Sequence, residues 1–205
     1  MTIGVIDTGI NNLGSIFNAL DHIKCHYEKL NRVDQIKDCK KFILPGVGSF
    51  DACADALQNA GWLDTLRSMD WETHKIMGIC VGMQIFCTSS DEGVKSGLGL
   101  LDAEVEGLSE HGCNDKTPHV GFNETKVEDP TSDFMAKINQ QDFYFIHSYA
   151  VLEINSRSKI EMAVTNYGGL GFISAFKLGN IYGTQFHPEK SGTVGLDVIR
   201  AFAEC

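Results

Sequence analysis

Residues 75–84 read Lys75-Ile76-Met77-Gly78-Ile79-Cys80-Val81-Gly82-Met83-Gln84. A short apolar run enters a Gly-x-Cys-x-Gly pattern and leaves it into residues that suit a helix. The stretch therefore predicts a buried strand over 75–79 that turns sharply into a helix running from Val81 to Cys87. Strand and helix crowd each other at such a turn, and Gly78 and Gly82 supply the small neighbours it needs. Cys80 then admits two readings. A Cys without a disulfide is often a small core residue. At a strand-to-helix turn it also meets unpaired backbone N–H groups, which favour a thiolate. The N–H of Val81 can there donate to an oxyanion. The pattern taken alone leaves both readings open.

The same alternation extends in both directions. Ile3 to Ile6 is a β-branched run ending at Asp7-Thr8-Gly9, and Leu13, Ile16, Phe17, Leu20 and Ile23 follow at helical spacing. Residues 41–44 form a second apolar run, stopped by Pro45-Gly46-Val47-Gly48, and residues 51–69 are Ala- and Leu-rich and again helix-like. Residues 143–151, 162–165, 171–176 and 180–186 read as strands separated by turn residues, some pairing antiparallel, and residues 197–202 as a closing helix. Short apolar strands alternating with helices imply a doubly wound parallel sheet. The expected fold class is α/β, a three-layer, mostly parallel but mixed sheet with antiparallel additions in the C-terminal half. One domain is expected over residues 1–205. Reactive groups in such sheets gather at the carboxyl ends of the strands, here Asp7-Thr8-Gly9, Pro45 to Gly48 and Gly78 to Cys80.

Composition narrows the partners. A chain of 205 residues can bury a core without staples. A formal net charge of -10 argues against general nucleic-acid binding, which needs a basic face. No apolar stretch is long enough to span a bilayer, and MTIGVIDTG lacks the basic and apolar regions of a secretion signal. No nucleic-acid or membrane partner is expected. The seven Cys, at 25, 39, 53, 80, 87, 113 and 205, are odd in number and form no C-x-x-C pair. They read as free thiols of a reducing, cytoplasmic environment. Cys25-His26 and His111-x-Cys113 lack the paired spacing of a structural zinc site, so neither metal nor cofactor is expected.

A thiol nucleophile needs a base, and the base an orienting group. Gln185-Phe186-His187-Pro188-Glu189-Lys190 offers both, with His187 lying 107 residues beyond Cys80, a gap only a fold closes. A surface His-Pro-Glu turn is the competing reading. His22, His26 and His74 sit in polar stretches and read as solvated, and His111 lies in a polar loop with no apparent partner. His119 and His147 sit among aromatic and small residues, where a functional and a purely structural role are both open. Pro45-Gly46-Val47-Gly48-Ser49-Phe50 is either a plain turn or a backbone loop able to reach a ligand or complete an oxyanion hole.

Together VIDTGINNLGS (5–15), ILPGVGSF (43–50), GICVGMQ (78–84), PHVGFN (118–123), FYFIHSY (143–149) and GTQFHPEKS (183–191) resemble the class I glutamine amidotransferases, the Cys-His-Glu triad type. The stretches occur in family order over nearly the whole chain. HPEKS with GICVGMQ is specific to that family. PHVGFN with FIHSY narrows the resemblance to its branch of glutaminase subunits of imidazole glycerol phosphate synthases. The resemblance implies Cys80 as nucleophile, His187 as acid and base, and Glu189 as its orienting carboxylate. It implies oxyanion donors at Val47, Gly48 and Val81, and glutamine contacts at Gly46, Gln84, Glu92, His147, Ser148 and Tyr149. It places a partner interface at Asn11, Asn12, His119, Phe122 and Asn123. It further implies hydrolysis of glutamine through a Cys thioester and a heterodimer with a β/α-barrel synthase. That partner would use the ammonia to form imidazole glycerol phosphate and aminoimidazole carboxamide ribotide in histidine biosynthesis.

Three positions depart from the family pattern: Phe122 stands for Trp, Asn11-Asn12 for Gly-Asn, and Val81 for Leu. Phe122 keeps an aromatic anchor and drops an N–H donor. A paralogous branch supplies ammonia for amidino-sugars of surface polysaccharides and remains the alternative. A silent regulatory subunit and a Cys hydrolase of another kind are the readings from other classes. The intact Cys80-His187-Glu189 set stands against the first and HPEKS against the second.

Overall fold

The computed structural model describes residues 2–9, 13–128, 130–155 and 159–205. β1 (Ile3–Ile6) is buried at every position, and α1 (Gly14–His22) turns Ile16, Ala19 and Leu20 inward at helical spacing. β2 (Tyr27–Leu30) and a 3-10 turn over Val33–Asp38 lead to β3 (Lys41–Gly46). This strand runs through Pro45 instead of stopping at it. β1 pairs with β3 only as far as Ile43, so the N–H that Pro45 lacks is missing from no ladder on that side. The helix-like stretch over 51–69 is two helices, α2 (Phe50–Asn59) and α3 (Trp62–Arg67). Gly61 between them takes φ +76, a backbone angle that breaks the helix and that Gly adopts without strain.

β4 (Lys75–Cys80) turns into α4 (Val81–Gln84), a single turn that stops short of Cys87. The second half holds β5 (Ser89–Ser90), β6 (Ala103–Gly107), β7 (His119–Val127), α5 (Asp133–Ile138), β8 (Gln141–His147) and β9 (Tyr149–Ile154). β10 (Ile160–Tyr167), β11 (Leu170–Leu178), β12 (Ile181–Thr184), a 3-10 turn over Pro188–Lys190 and α6 (Gly192–Glu204) complete it.

A nine-stranded sheet in the order β2-β1-β3-β4-β12-β11-β10-β7-β8 dominates, parallel from β2 to β12 and antiparallel from there on. This is the mixed α/β sheet expected from the sequence. β1 connects to β2 in one direction and β3 to β4 in the other. Right-handed crossovers therefore put α1 and the α2–α3 pair on opposite faces. α6 packs beside α1 and α5, and α2 beside α3 and α4.

The antiparallel half curls back. Its last strand, β8, meets the exit of β12, where His187 N–H donates to the Tyr144 carbonyl at 2.9 Å. Ser191 Oγ accepts from Tyr144 N–H at 3.0 Å and donates to the His187 carbonyl at 2.7 Å. Phe143 and Phe186 stack beneath these bonds with ring centroids 3.9 Å apart. The strand expected over 143–151 breaks at Ser148. β8 stays in the large sheet, while β9 joins β5 and β6 in a three-stranded sheet. The change of sheet turns residues 146–149 toward the carboxyl ends of β3 and β4.

The glycines around Cys80 answer to close packing. A Cβ on Gly82 would overlap the Leu44 carbonyl oxygen, and one on Gly78 would overlap the Gly82 carbonyl. Both are needed for α4 to close onto β3 and β4.

Candidate active site

Three neighbouring parallel strands end side by side. Gly46 of β3 is in register with Cys80 of β4, Ile79 with Thr184 of β12, and Gln185 comes next along the chain. Cys80 is 5% exposed and adopts φ 55, ψ -117, a conformation that L-residues rarely take. That strain turns its side chain off the strand end into a pocket of about 360 Å³. The pocket is lined by Gly46, Val47, Gly48, Cys80, Val81, Gln84, Glu92, Pro118, Ile146, His147, Ser148, Tyr149, His187 and Lys190. It thus gathers Cys80 and His187, all three expected oxyanion positions and all six expected glutamine contacts, while Glu189 stands behind His187 and does not line it.

His187 Nδ1 lies 2.7 Å from Glu189 Oε1, with both side chains almost wholly buried. Pro188 opens the 3-10 turn that folds Glu189 back onto the ring. The imidazole also comes within hydrogen-bonding reach of the Cys80 side chain. Burial alone would lower the His187 pKa. Hydrogen bonds and attraction from Cys80 and Glu189 outweigh it and carry the ring up to about 9. Glu189 Oε2 is buried with no hydrogen-bond partner among the described residues. The two nearby core thiols behave differently: burial pushes Cys53 up to about 12 and raises Cys87 as well. Those are inert packing residues.

Gln185 had no role assigned from the sequence, although it stands in the GTQFHPEKS stretch. Its side chain is fully buried; Nε2 lies 3.7 Å from Cys80 Sγ and Oε1 accepts from Gln84 Nε2 at 2.9 Å. Gln84 also donates to the Tyr149 carbonyl at 2.8 Å, so both its amide hydrogens are engaged within the chain. Oε1 is what it has left for a ligand. Because α4 is one turn long, its dipole adds little at Cys80, and these side-chain donors matter more. Glu92 reaches the pocket from the loop after β5, where its Oε2 accepts from Phe50 N–H at 2.7 Å.

His147 Nδ1 donates to the Tyr149 carbonyl at 2.9 Å, which leaves Nε2 to accept from His119 Nδ1 at 3.1 Å. Burial presses His147 down to about 3, against the bond to Tyr149, with His119 and His187 adding to the lowering. His119 is lowered by burial too, and its Nε2 lies 2.8 Å from the Asn123 side-chain amide. The atom of Asn123 facing that nitrogen is Oδ1, and this bond opposes the lowering by burial. His119 is wholly buried, stacked on Tyr167 at 3.9 Å and on Phe145 at 4.8 Å. It supports the surface from behind and does not itself reach it.

Phe122 does reach the surface, at 58% exposed. The β7–β8 register sets Val120 opposite Ile146 and Phe122 opposite Tyr144, so these four share one face. Val120 and Ile146 are exposed as well, and Ile146 also lines the pocket. An apolar patch therefore borders the pocket mouth. Asn11 and Asn12 lie outside the described residues. His111, expected to lack a partner, has two: its Nδ1 donates to the Gly107 carbonyl at 2.9 Å, and Nε2 lies 3.2 Å from Glu106. Among the described residues no helix is long and apolar enough to cross a membrane.

The family model for glutamine amidotransferase class-I matches residues 4–204. The chain is 38% identical over 204 residues to the imidazole glycerol phosphate synthase subunit HisH of Leptospira borgpetersenii, covering 98% of each protein. It is 37% identical over 209 residues to the subunit of the same name from Bacillus subtilis strain 168, covering 98% of this chain and 95% of that one. In fold it matches a crystal structure of a glutamine amidotransferase with a TM-score of 0.76 at 19% identity, over 98% of this chain and 97% of that one. PurLQS from Thermotoga maritima matches with a TM-score of 0.70 at 19% identity, over 99% and 97%. A family match over residues 4–204, with relatives 37–38% identical over 98% of the chain, makes this chain a member of the class I glutamine amidotransferases.

Proposed function

We propose that this chain is the glutaminase subunit of an imidazole glycerol phosphate synthase and that Cys80, His187 and Glu189 are its catalytic triad. The observation that carries the reading is the 2.7 Å His187–Glu189 contact, held against Cys80 in a pocket open to an apolar patch. Cys80 as thiolate attacks the side-chain carbonyl carbon of glutamine, and the C–O π pair moves onto oxygen. Backbone N–H groups of Val81 and the Gly46–Gly48 loop donate to that oxyanion. The C–N bond then breaks as His187 hands its proton to the leaving nitrogen, giving ammonia and a γ-glutamyl thioester. Water, deprotonated by His187, attacks the thioester and releases glutamate and the thiolate. Gln84 Oε1, Glu92 and residues 147–149 line the pocket where the substrate's amino-acid end would sit.

Ammonia is useful to a synthase only if it arrives unprotonated. The Val120, Phe122, Tyr144 and Ile146 face borders the pocket mouth and suits a partner that seals it; in this reading the partner is the β/α-barrel cyclase, met also by the Asn11–Asn12 and Asn123 regions. A thiol nucleophile suits a reducing compartment such as the cytoplasm.

The test is synthesis by the two-protein complex with either nitrogen source. Cys80→Ala is expected to abolish glutamine-dependent synthesis and to spare ammonia-dependent synthesis. Loss of both would make Cys80 structural, and retention of both would remove it from the reaction.

A further inference from the structure

The loop of residues 91–95 carries Glu92 into the pocket, yet almost nothing apolar holds it. Val94 at its tip is 91% exposed. Asp91 N–H donates to the Val105 carbonyl at 2.8 Å and Glu92 N–H to Ser90 Oγ at 3.1 Å, and from the other side the loop is held by the first turn of α2, two residues past the Gly46–Gly48 loop. Phe50 N–H donates to Glu92 Oε2, and the Asp51 carboxylate accepts from Val94 N–H at 3.1 Å and from Lys95 N–H at 3.0 Å. Lys95 reaches back to Asp55 at 2.8 Å, one turn further along the same helix. The Asp51 carboxylate also fills the space beside Gly93: a Cβ there would overlap all three atoms of the carboxyl group. One helical turn therefore grips Glu92 directly and grips the three residues that follow it.

We infer that Asp51 is a positioning residue for glutamine binding, clamping the 91–95 loop so that the Glu92 carboxylate faces the substrate's ammonium group. The inference rests on the glutaminase reading. The two bonds from Val94 and Lys95 lower the Asp51 pKa, so the carboxylate is charged whenever the enzyme works and binds both N–H groups as an anion. The clamp acts on binding, not on the thioester chemistry, because Asp51 does not line the pocket with Cys80. Gly93 is its counterpart: any side chain there would push the carboxylate off its two donors.

Steady-state glutamine hydrolysis by the full-length chain, read as glutamate formed, tests this. Asp51→Ala is expected to raise KM about tenfold and to change kcat by less than about twofold. Gly93→Ala is expected to raise KM in the same way, and to add nothing when combined with Asp51→Ala, since the clash is then gone. In a Glu92→Gln background Asp51→Ala is expected to lose most of its effect on KM, which a general loss of stability would not do. If Asp51→Ala does not fold, Asp51→Asn serves in its place: it keeps the size and one acceptor but turns an NH2 toward the second N–H donor. An unchanged KM, a fall confined to kcat, or an effect undiminished in the Glu92→Gln background would each overturn the clamp. A wild-type chain that hydrolyses no glutamine, alone or with its partner, would instead overturn the glutaminase reading and the clamp with it.

Discussion

At the scale of single residues, Cys80 combines chemistry with strain. Its φ of 55 costs a residue with a side chain of the order of 1–3 kcal/mol, which the packing of α4 against β3 and β4 sustains. Cys80→Gly should therefore be more stable than Cys80→Ala by about 1 kcal/mol in urea unfolding, with both inactive toward glutamine. His187 has its pKa raised from 6.5 to about 9, so its contribution to stability is complete below pH 6.5 and is lost as pH climbs through 9. Melting curves are expected to show this alkaline loss in the wild type and to lack it in His187→Asn. Cys80, His187 and Glu189 stand in short stretches whose turn chemistry left their roles open, and only the resemblance of those stretches to a family singled the three out. Gln185 was not legible as the thiol's neighbour, since nothing in QFHPEK distinguishes a glutamine aimed at Cys80 from one packed in a core.

At the scale of elements, the elbow and the antiparallel β7–β8 pair carry the site. Gly82→Ala drives a Cβ into the Leu44 carbonyl oxygen and is expected to cost about 3 kcal/mol and most of the activity, measured by denaturation and glutamate release. The strand pair is joined by the His119–His147 bond, between residues directly opposite in register. Both rings have lowered pKa values. The unfolded chain therefore takes up protons below pH 6.5 that the folded chain refuses, and stability must fall with acid from there toward pH 3. His147→Gln is expected to flatten that slope by up to about 1.4 kcal/mol per pH unit between 6 and 4.5, while weakening the hold on Tyr149. The first four parallel strands except β2 were readable because each is a short, mostly apolar run buried at nearly every position. β7 was not readable: His119 to Val127 is rich in polar residues and half-exposed, so neither hydrophobicity nor length marks it. α3 was not distinguished from α2 because only a backbone angle at Gly61 separates them.

At the scale of the whole molecule, the sheet's antiparallel half curls until β8 touches the exit of β12, and this closure makes a pocket out of loops that are far apart in sequence. It also sets the apolar face of β7 and β8 beside the pocket mouth. Phe122→Asp is expected to weaken binding of the cyclase partner at least about tenfold while leaving the melting temperature unchanged, since Phe122 is 58% exposed; titration calorimetry and a thermal melt read the two. The order of the motifs carried the chemistry only as a family resemblance, whereas the alternation of apolar runs with helices and the glycines around Cys80 pointed by themselves to the fold class and to the turn. Those signals are local, set by hydrophobic period and turn geometry. Only the tertiary structure decided that the chain changes sheet at Ser148, that Gln84 and Gln185 meet beneath the thiol, and that Asp51 grips the loop bearing Glu92. Each of these depends on closing a long stretch of chain, and a contact made across such a gap leaves no period or turn signature in the residues that make it.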